Sequence, residues 1–244
     1  MTVRTPKAVL LDLDDTILDD SGNVDDCWER ACFSAKSELG NIEPLAVLEA
    51  INRTRDWYWS DPERHRVGRL DLDAARRRIV TISLTELGSD DPILAARIAD
   101  TCSRERDAGI QLLPDAVNTV SWCRTLGCRL ALLTNGSAEA QRAKVTRFDL
   151  EGLFDAILIE GELGFGKPDS RIYELALRTL RVDAADAWMV GDNLEWDVAQ
   201  PQRMGMVGVW VDFRGAGVPD DIDVRPNHVV RTLSQLRQLI GPTS

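Results

Sequence analysis

The chain is poor in the residues that would hold a zinc ion or a disulfide framework. Among 244 residues there are two histidines, His65 and His228, and five cysteines at 27, 32, 102, 123 and 128. The cysteines are odd in number and form no C-x-x-C pair, so neither a zinc site nor a disulfide scaffold is indicated. No apolar run approaches the length needed to span a bilayer, and residues 1–7 pass into the first strand without a long apolar stretch. These absences predict a reduced, cytoplasmic protein with no membrane attachment. Basic residues are also outnumbered, 29 against 40 acidic, leaving a net charge of -11 that repels a nucleic acid polymer over most of the surface. Repeats and low-complexity tracts are lacking as well. What is present is 44% hydrophobic sequence, enough for one large core or a core with a smaller insert.

Short apolar strand candidates occur at residues 8–13, 129–134, 156–159, 187–190 and 207–211, with helix-like segments between the later ones. Such alternation predicts an α/β fold built on a parallel sheet. Residues 115–127, the stretch after Ser137 and the stretch from Ser170 carry the caps and stops of helices, and 233–240 reads as a final helix. Residues 212–226, with Gly215, Gly217, Pro219 and Pro226, read as an ordered loop. Between the first two strands lie over a hundred residues without a convincing strand. Candidate helices there are 25–39, 43–59, 72–87 and 92–108, enough for a small bundle. Turn residues at 19–22 and 109–114 mark the two crossings, so the expected division is 1–18 with 112–244 as a core and 19–111 as an inserted helical domain with a hinge between them.

Three strand ends carry polar clusters: Asp12-Leu13-Asp14-Asp15-Thr16, Thr134-Asn135-Gly136, and Gly191-Asp192 through Asp197. Ligands of open α/β sheets bind at these carboxyl ends. A fourth cluster, Gly164 to Asp169, sets Lys167 in a glycine-rich turn just before a helix. Asp12 and Asp192 offer hard oxygen ligands suited to a hydrated magnesium ion bridged to phosphate. With that charge screened, Asp12 can attack phosphorus, and Asp14 can protonate the leaving oxygen and then activate water. Thr134 and Asn135 can donate to phosphoryl oxygens, while Lys167 adds positive charge where negative charge accumulates. Asp197 is expected one step back, holding a metal-bound water or orienting Lys167, and Gly191 permits a close backbone approach.

The D-x-D-x-T from Asp12, the hydrophobic-Thr-Asn ending at Asn135, Lys167 before Pro168 and the G-D-x-x-x-x-D from Gly191 to Asp197 together resemble the haloacid dehalogenase superfamily. That resemblance implies a Rossmann-like core in which Asp12, Thr134 and Asp192 converge on one Mg2+ and one phosphate. It implies that Asp12 is phosphorylated, that Asp14 also gives its backbone carbonyl to the metal, and that Asp192 completes the protein ligands. The insert resembles a type-one cap, one that closes over the cleft and resembles those of relatives acting on nucleoside monophosphates or N-acylneuraminate 9-phosphate. Two positions depart from the family pattern: Asp15 stands where many relatives carry glycine, and Gln200-Pro201 where a small pair is common.

The expected activity is therefore hydrolysis of a small phosphomonoester through an aspartyl-phosphate on Asp12. A phosphomutase is the first rival; a dehalogenase is disfavoured by Asp14, and a non-catalytic phosphate-binding module by the full set of reacting groups. The substrate is a small phosphorylated metabolite, and the chain is expected as a monomer or homodimer. In the insert, Trp57, Tyr58 and Trp59 read as packing residues, His65 as a surface histidine, and Arg64, Arg66, Arg69, Arg76, Arg77 and Arg78 as a solvated face that could also attract phosphorylated substrates. Cys27 and Cys32 read as packing residues, and Trp196 as packing between Asp192 and Asp197.

Overall fold

The structure is a computed structural model that describes residues 5–219 and 223–240. Residues 1–4 of the opening segment and 220–222 of the expected loop lie outside the described residues. The chain begins with β1 (Ala8–Leu11) and β2 (Leu18–Asp19), then runs through α1 (Val24–Ser34), α2 (Pro44–Ser60), α3 (Pro62–Gly68), α4 (Leu72–Glu86) and α5 (Pro92–Gly109) to β3 (Gln111–Leu112). Strands and helices then alternate: α6 (Ala116–Thr125), β4 (Arg129–Thr134), α7 (Ala138–Arg147), β5 (Ala156–Ile159), α8 (Glu160–Leu163), α9 (Ser170–Leu180), β6 (Ala187–Gly191), α10 (Gln200–Arg203), β7 (Val207–Val211), β8 (His228–Val230) and α11 (Leu236–Ile240). The chain divides into two compact units, one ending at Asp19 and resuming at Gln111, the other spanning Asp20–Ile110.

The first unit is an α/β domain on a six-stranded parallel sheet of order β5-β4-β1-β6-β7-β8. All four residues of β1 are buried, as a strand covered on both faces requires. Leu11 pairs with Leu132 of β4 on one side and Val190 of β6 on the other. The chain fills β4 and β5 on one flank of β1 before crossing to β6, β7 and β8 on the other. The carboxyl end of β1 is therefore the topological switch point, where ligands of such sheets bind. On one sheet face Ile172, Tyr173, Ala176 and Leu180 of α9 pack against Ala8, Leu10, Ala131, Leu133 and Met189. The residues of β2 and β3 form an antiparallel pair at the two crossings, with Leu18 opposite Leu112 and Asp19 opposite Gln111.

The second unit is all helical, with a core that includes Cys27, Cys32, Val47, Ile51, Ile79, Leu84, Ile98 and Cys102. All five cysteines of the chain are buried and unbonded to one another. The unit holds five helices rather than the four expected. The extra one, α3, has a mostly polar sequence, so apolar periodicity gave no sign of it. Its start is nonetheless marked, because the Asp61 side chain accepts from the Arg64 amide and Pro62 occupies the first turn. The expected helix 25–39 ends at Ser34 and tightens into a 3-10 turn at Lys36–Glu38.

Four strands also escaped the pattern or fell short of it. The pair β2–β3 is two residues on each side, and β8 is a three-residue edge strand; elements this short carry too few residues to show alternation. The first strand ends at Leu11 instead of residue 13, because the chain turns at Asp15, whose φ is 55°.

Candidate active site

Asp12 follows β1, and its backbone N–H still bonds Val190 O at 3.0 Å, so the sheet fixes its position before the chain turns away. Its buried carboxylate meets Lys167, whose Nζ lies 2.7 Å from Asp12 Oδ1 and 2.7 Å from Asp197 Oδ1. Lys167 is 1% exposed and Asp197 0%, so these two are sealed from water, while Asp12 keeps 8% exposure. Such groups are tolerated only when paired, and here each is.

Asp197 reaches the triad through an unusual backbone. After β6 the chain forms a π-helical turn at Leu194–Ala199, begun by Asn193, whose Oδ1 accepts from the amides of Glu195 and Trp196. Wider than an α-turn, it carries Asp197 back beneath the strand end, where Oδ2 accepts the Asn193 N–H at 3.0 Å. Gly191 makes room: a Cβ there would lie 2.3 Å from Asp197 Cγ. The Trp210 indole N–H donates to Asp192 O at 2.7 Å and ties the loop to β7. Trp196 instead receives the Tyr173 hydroxyl on its carbonyl oxygen, a contact its apolar character did not announce.

Asp14 takes a different direction from Asp12. A fully extended backbone would have aimed both side chains to one face, but the early end of β1 and the turn at Asp15 separate them. Asp14 Oδ1 pairs with Lys144 Nζ at 2.8 Å, and Oδ2 accepts from Gln141 Nε2 at 2.8 Å. The same Gln141 nitrogen lies 2.8 Å from Thr134 Oγ1 and 2.6 Å from Asn135 O. Neither Gln141 nor Lys144 was singled out in the sequence. Residues three apart on a helix share a face, but nothing local in the sequence says that this face meets Asp14. Ser137 caps this helix by accepting the Ala140 amide.

Asn135 differs from expectation. Its amide group is used on the lysine loop: Nδ2 donates to Lys167 O at 2.7 Å, and Oδ1 accepts the Lys167 N–H at 2.8 Å. The side chain thus splints the segment carrying Lys167. Buried Glu160 accepts the Gly136 N–H at 3.0 Å and anchors the other side of the same loop.

Charge crowding sets the electrostatics. Burial raises the Asp12 carboxyl to about 6 even though Lys167 pulls it down, with Asp197 pushing further upward. Burial, then the neighbouring Asp12, Asp197 and Asp15, raise Asp192 to about 9. For Lys167, burial alone would favour the neutral amine, but Asp12 and Asp197 outweigh it and hold the ammonium.

Carboxylate oxygens of Asp12, Asp192 and Asp197 lie within 4.8 Å of one another. An all-oxygen set fits a hard divalent cation, and the raised Asp192 carboxyl is what such a cluster shows when no cation balances it. Both Asp197 oxygens are engaged, by Lys167 and by the Asn193 N–H, which leaves Asp12 and Asp192 as the better carboxylate donors. The Asp14 side chain is outside this cluster, so only its backbone could serve a metal.

In the helical unit, Tyr58 is buried, whereas Trp57 is exposed beneath the Arg64 guanidinium, 3.9 Å from its ring centre. His65 is half-buried against Trp59 rather than a surface residue. Part of the basic run is paired locally: Arg66 with Glu63, Arg77 with Asp100, and the buried Arg76 with Asp73, its guanidinium also donating to Ser103. Arg76 is therefore part of the packing, not of a solvated face.

A family described as haloacid dehalogenase-like hydrolase matches residues 6–205. The chain belongs to that family. The phosphoserine phosphatase of Thermus thermophilus is 34% identical, over 94% of this chain and 97% of its own. The glyceraldehyde 3-phosphate phosphatase of Methanopyrus kandleri is 30% identical, over 83% of this chain and 82% of its own. The solved structure of a 2-haloacid dehalogenase from Pseudomonas syringae superposes with a TM-score of 0.62 at 29% identity, over 98% of this chain and 100% of that one. This haloacid dehalogenase-like hydrolase is thus an enzyme with phosphatases among its near-full-length relatives. No helix among the described residues is long and apolar enough to cross a membrane.

Proposed function

We propose that this enzyme is a magnesium-dependent phosphatase that hydrolyses a small phosphomonoester through an aspartyl-phosphate on Asp12. The observation that carries the reading is Asp12 beside both a buried cation, Lys167, and a second carboxylate, Asp192, at the switch point of the sheet. Asp12, Asp192 and the backbone carbonyl of Asp14 would hold magnesium, which would supply positive charge to offset the repulsion between carboxylate and phosphate.

The protein's own groups account for the remaining steps. Lys167 keeps Asp12 ionised and orients it, while Asp197 fixes Lys167 from behind. Thr134 Oγ1 holds a phosphoryl oxygen, with the Asn135 side chain keeping the lysine loop in register. Asp12 attacks phosphorus, the ester P–O bond breaks, and Asp14 delivers a proton to the departing oxygen. Asp14 then takes a proton from the water that attacks the aspartyl-phosphate, which releases inorganic phosphate and restores Asp12.

Two phosphomonoesters lead the substrate list, phosphoserine and glyceraldehyde 3-phosphate, on the strength of the relatives above. The helical unit, 19–111 by sequence, is the proposed selector of substrate, and the enzyme works on soluble metabolites in the cytoplasm. A dehalogenase is the second reading, favoured by the solved neighbour of that activity. The deciding assay uses p-nitrophenyl phosphate, phosphoserine, glyceraldehyde 3-phosphate and 2-chloropropionate, each with magnesium and with a chelator. The phosphatase reading expects phosphate release that stops on chelation and is lost in Asp12→Asn. Chloride release that survives chelation would overturn it.

A further inference from the structure

From the geometry around Asp14 we infer that Gln141 and Lys144 are positioning residues that aim the Asp14 carboxylate at the leaving-group oxygen and lock it to the phosphate-binding Thr134. The inference rests on the proposed role of Asp14 as proton donor and goes beyond it by assigning the residues that make the donor effective.

Three features support it. First, Asp14 lies in a turn beyond the end of β1, so its backbone alone does not fix the side chain, and both carboxylate oxygens find their partners on α7: Oδ1 on Lys144 Nζ and Oδ2 on Gln141 Nε2, each at 2.8 Å. Two partners on separate oxygens fix the carboxylate plane, whereas one would leave it free to rotate. Second, the Gln141 nitrogen also contacts Thr134 Oγ1 and Asn135 O, so one amide joins the proton donor to the loop that grips the phosphoryl group. Its two N–H bonds face three acceptors, so a shift of either partner is felt by the other. Third, Gln141 is 4% exposed, and its Oε1 is buried with no hydrogen-bond partner among the described residues. A buried, half-satisfied amide is destabilising. Its retention beside these acceptors fits a positioning role and does not fit simple packing, for which an apolar side chain would serve better.

Lys144 adds a second effect. Its side chain is 14% exposed, less than the 29% of Asp14, so the pair is partly shielded from water. The ammonium holds one carboxylate oxygen against α7 and so limits how far the carboxyl can turn.

The test exploits leaving-group chemistry. A mis-aimed proton donor harms esters whose leaving oxygen is strongly basic far more than those whose leaving oxygen departs unaided. We would measure kcat/KM, which reports on steps up to departure of the leaving group, on phenyl phosphate and on p-nitrophenyl phosphate for wild type, Lys144→Met, Lys144→Arg, Gln141→Met and Asp14→Asn. The ratio of the two values on one preparation is independent of how much of the protein is folded. The expected result is that Asp14→Asn, Lys144→Met and Gln141→Met each lower the phenyl-to-p-nitrophenyl ratio by about tenfold or more, with Lys144→Arg restoring most of the loss. If Asp14→Asn lowers the ratio while both α7 variants keep the wild-type value, the positioning inference is wrong and the reading of Asp14 survives. If Asp14→Asn itself leaves the ratio unchanged, the proton-donor role fails and the inference falls with it.

Discussion

Gly191 and Asp197 are in contact because position 191 has no side chain: a Cβ there would stand 2.3 Å from Asp197 Cγ and Oδ2. Asp197 is fully buried and bonded at both oxygens, so it has nowhere to retreat without releasing Lys167 or the Asn193 amide. Gly191→Ala is expected to reduce kcat by about 100-fold through displacement of Lys167, in line with the cost of small misplacements. Overpacking should lower stability by about 1–3 kcal/mol, read by urea titration. Wild-type kcat in the variant would show that Asp197 does not govern Lys167.

Removing Lys167 leaves two buried carboxylates facing each other without their shared cation. Lys167→Met is expected to destabilise the metal-free protein by about 3–5 kcal/mol, as for other broken buried pairs. Magnesium should recover part of that loss by supplying charge at the same place. Denaturant midpoints with and without magnesium measure both effects, and phosphatase activity should fall by at least about 100-fold.

By the proposed metal site, proton and metal would compete for Asp192. In the metal-free folded protein its carboxyl is raised to about 9, against about 4 in an unfolded chain. Between those values the folded state binds more protons, so the contribution of this group to stability is present at low pH and lost as pH rises toward 9. Thermal midpoints in chelator should therefore fall between pH 6 and 8.5, and the stabilisation by magnesium should grow over the same interval. Asp192→Asn should flatten both trends; a metal effect independent of pH in the wild type would contradict the assignment.

Asp15 occupies a left-handed conformation, φ 55°, one that glycine adopts freely and aspartate better than most residues. Asp15→Ala should be less stable than Asp15→Gly by about 1 kcal/mol, because only alanine meets the Cβ penalty. Asp15→Gly should also weaken magnesium-dependent stabilisation, since Asp15 is one of the negative charges around Asp192 and would attract the divalent ion more strongly than a proton. Thermal melts of the two variants, with and without metal, separate the backbone effect from the charge effect.

The parallel sheet, the helical insert and the polar strand ends were legible because each has a local signature: β1, β4 and β6 are apolar runs that end in Asp12, Thr134 and Asp192. Lys167 stood out through its glycine-rich turn. What escaped the sequence depends on long-range geometry. Nothing local says that Asp14 faces α7, since that follows from where β1 ends and how the chain turns at Asp15. Gln141 and Lys144 look like ordinary polar residues of a helix, and acquire meaning only when Asp14 is placed over them. Asn135 carried the right chemistry for two roles, and its distance to the Lys167 backbone decided between them.

The β2–β3 pair gives the insert the status of an enlarged hairpin loop. Asp19 and Gln111 are antiparallel partners, so the two cut ends of the core already lie at the spacing that a two-residue Asn-Gly turn bridges. Exchanging residues 20–110 for another helical module that begins and ends at this ribbon is therefore expected to leave the register of the main sheet unchanged.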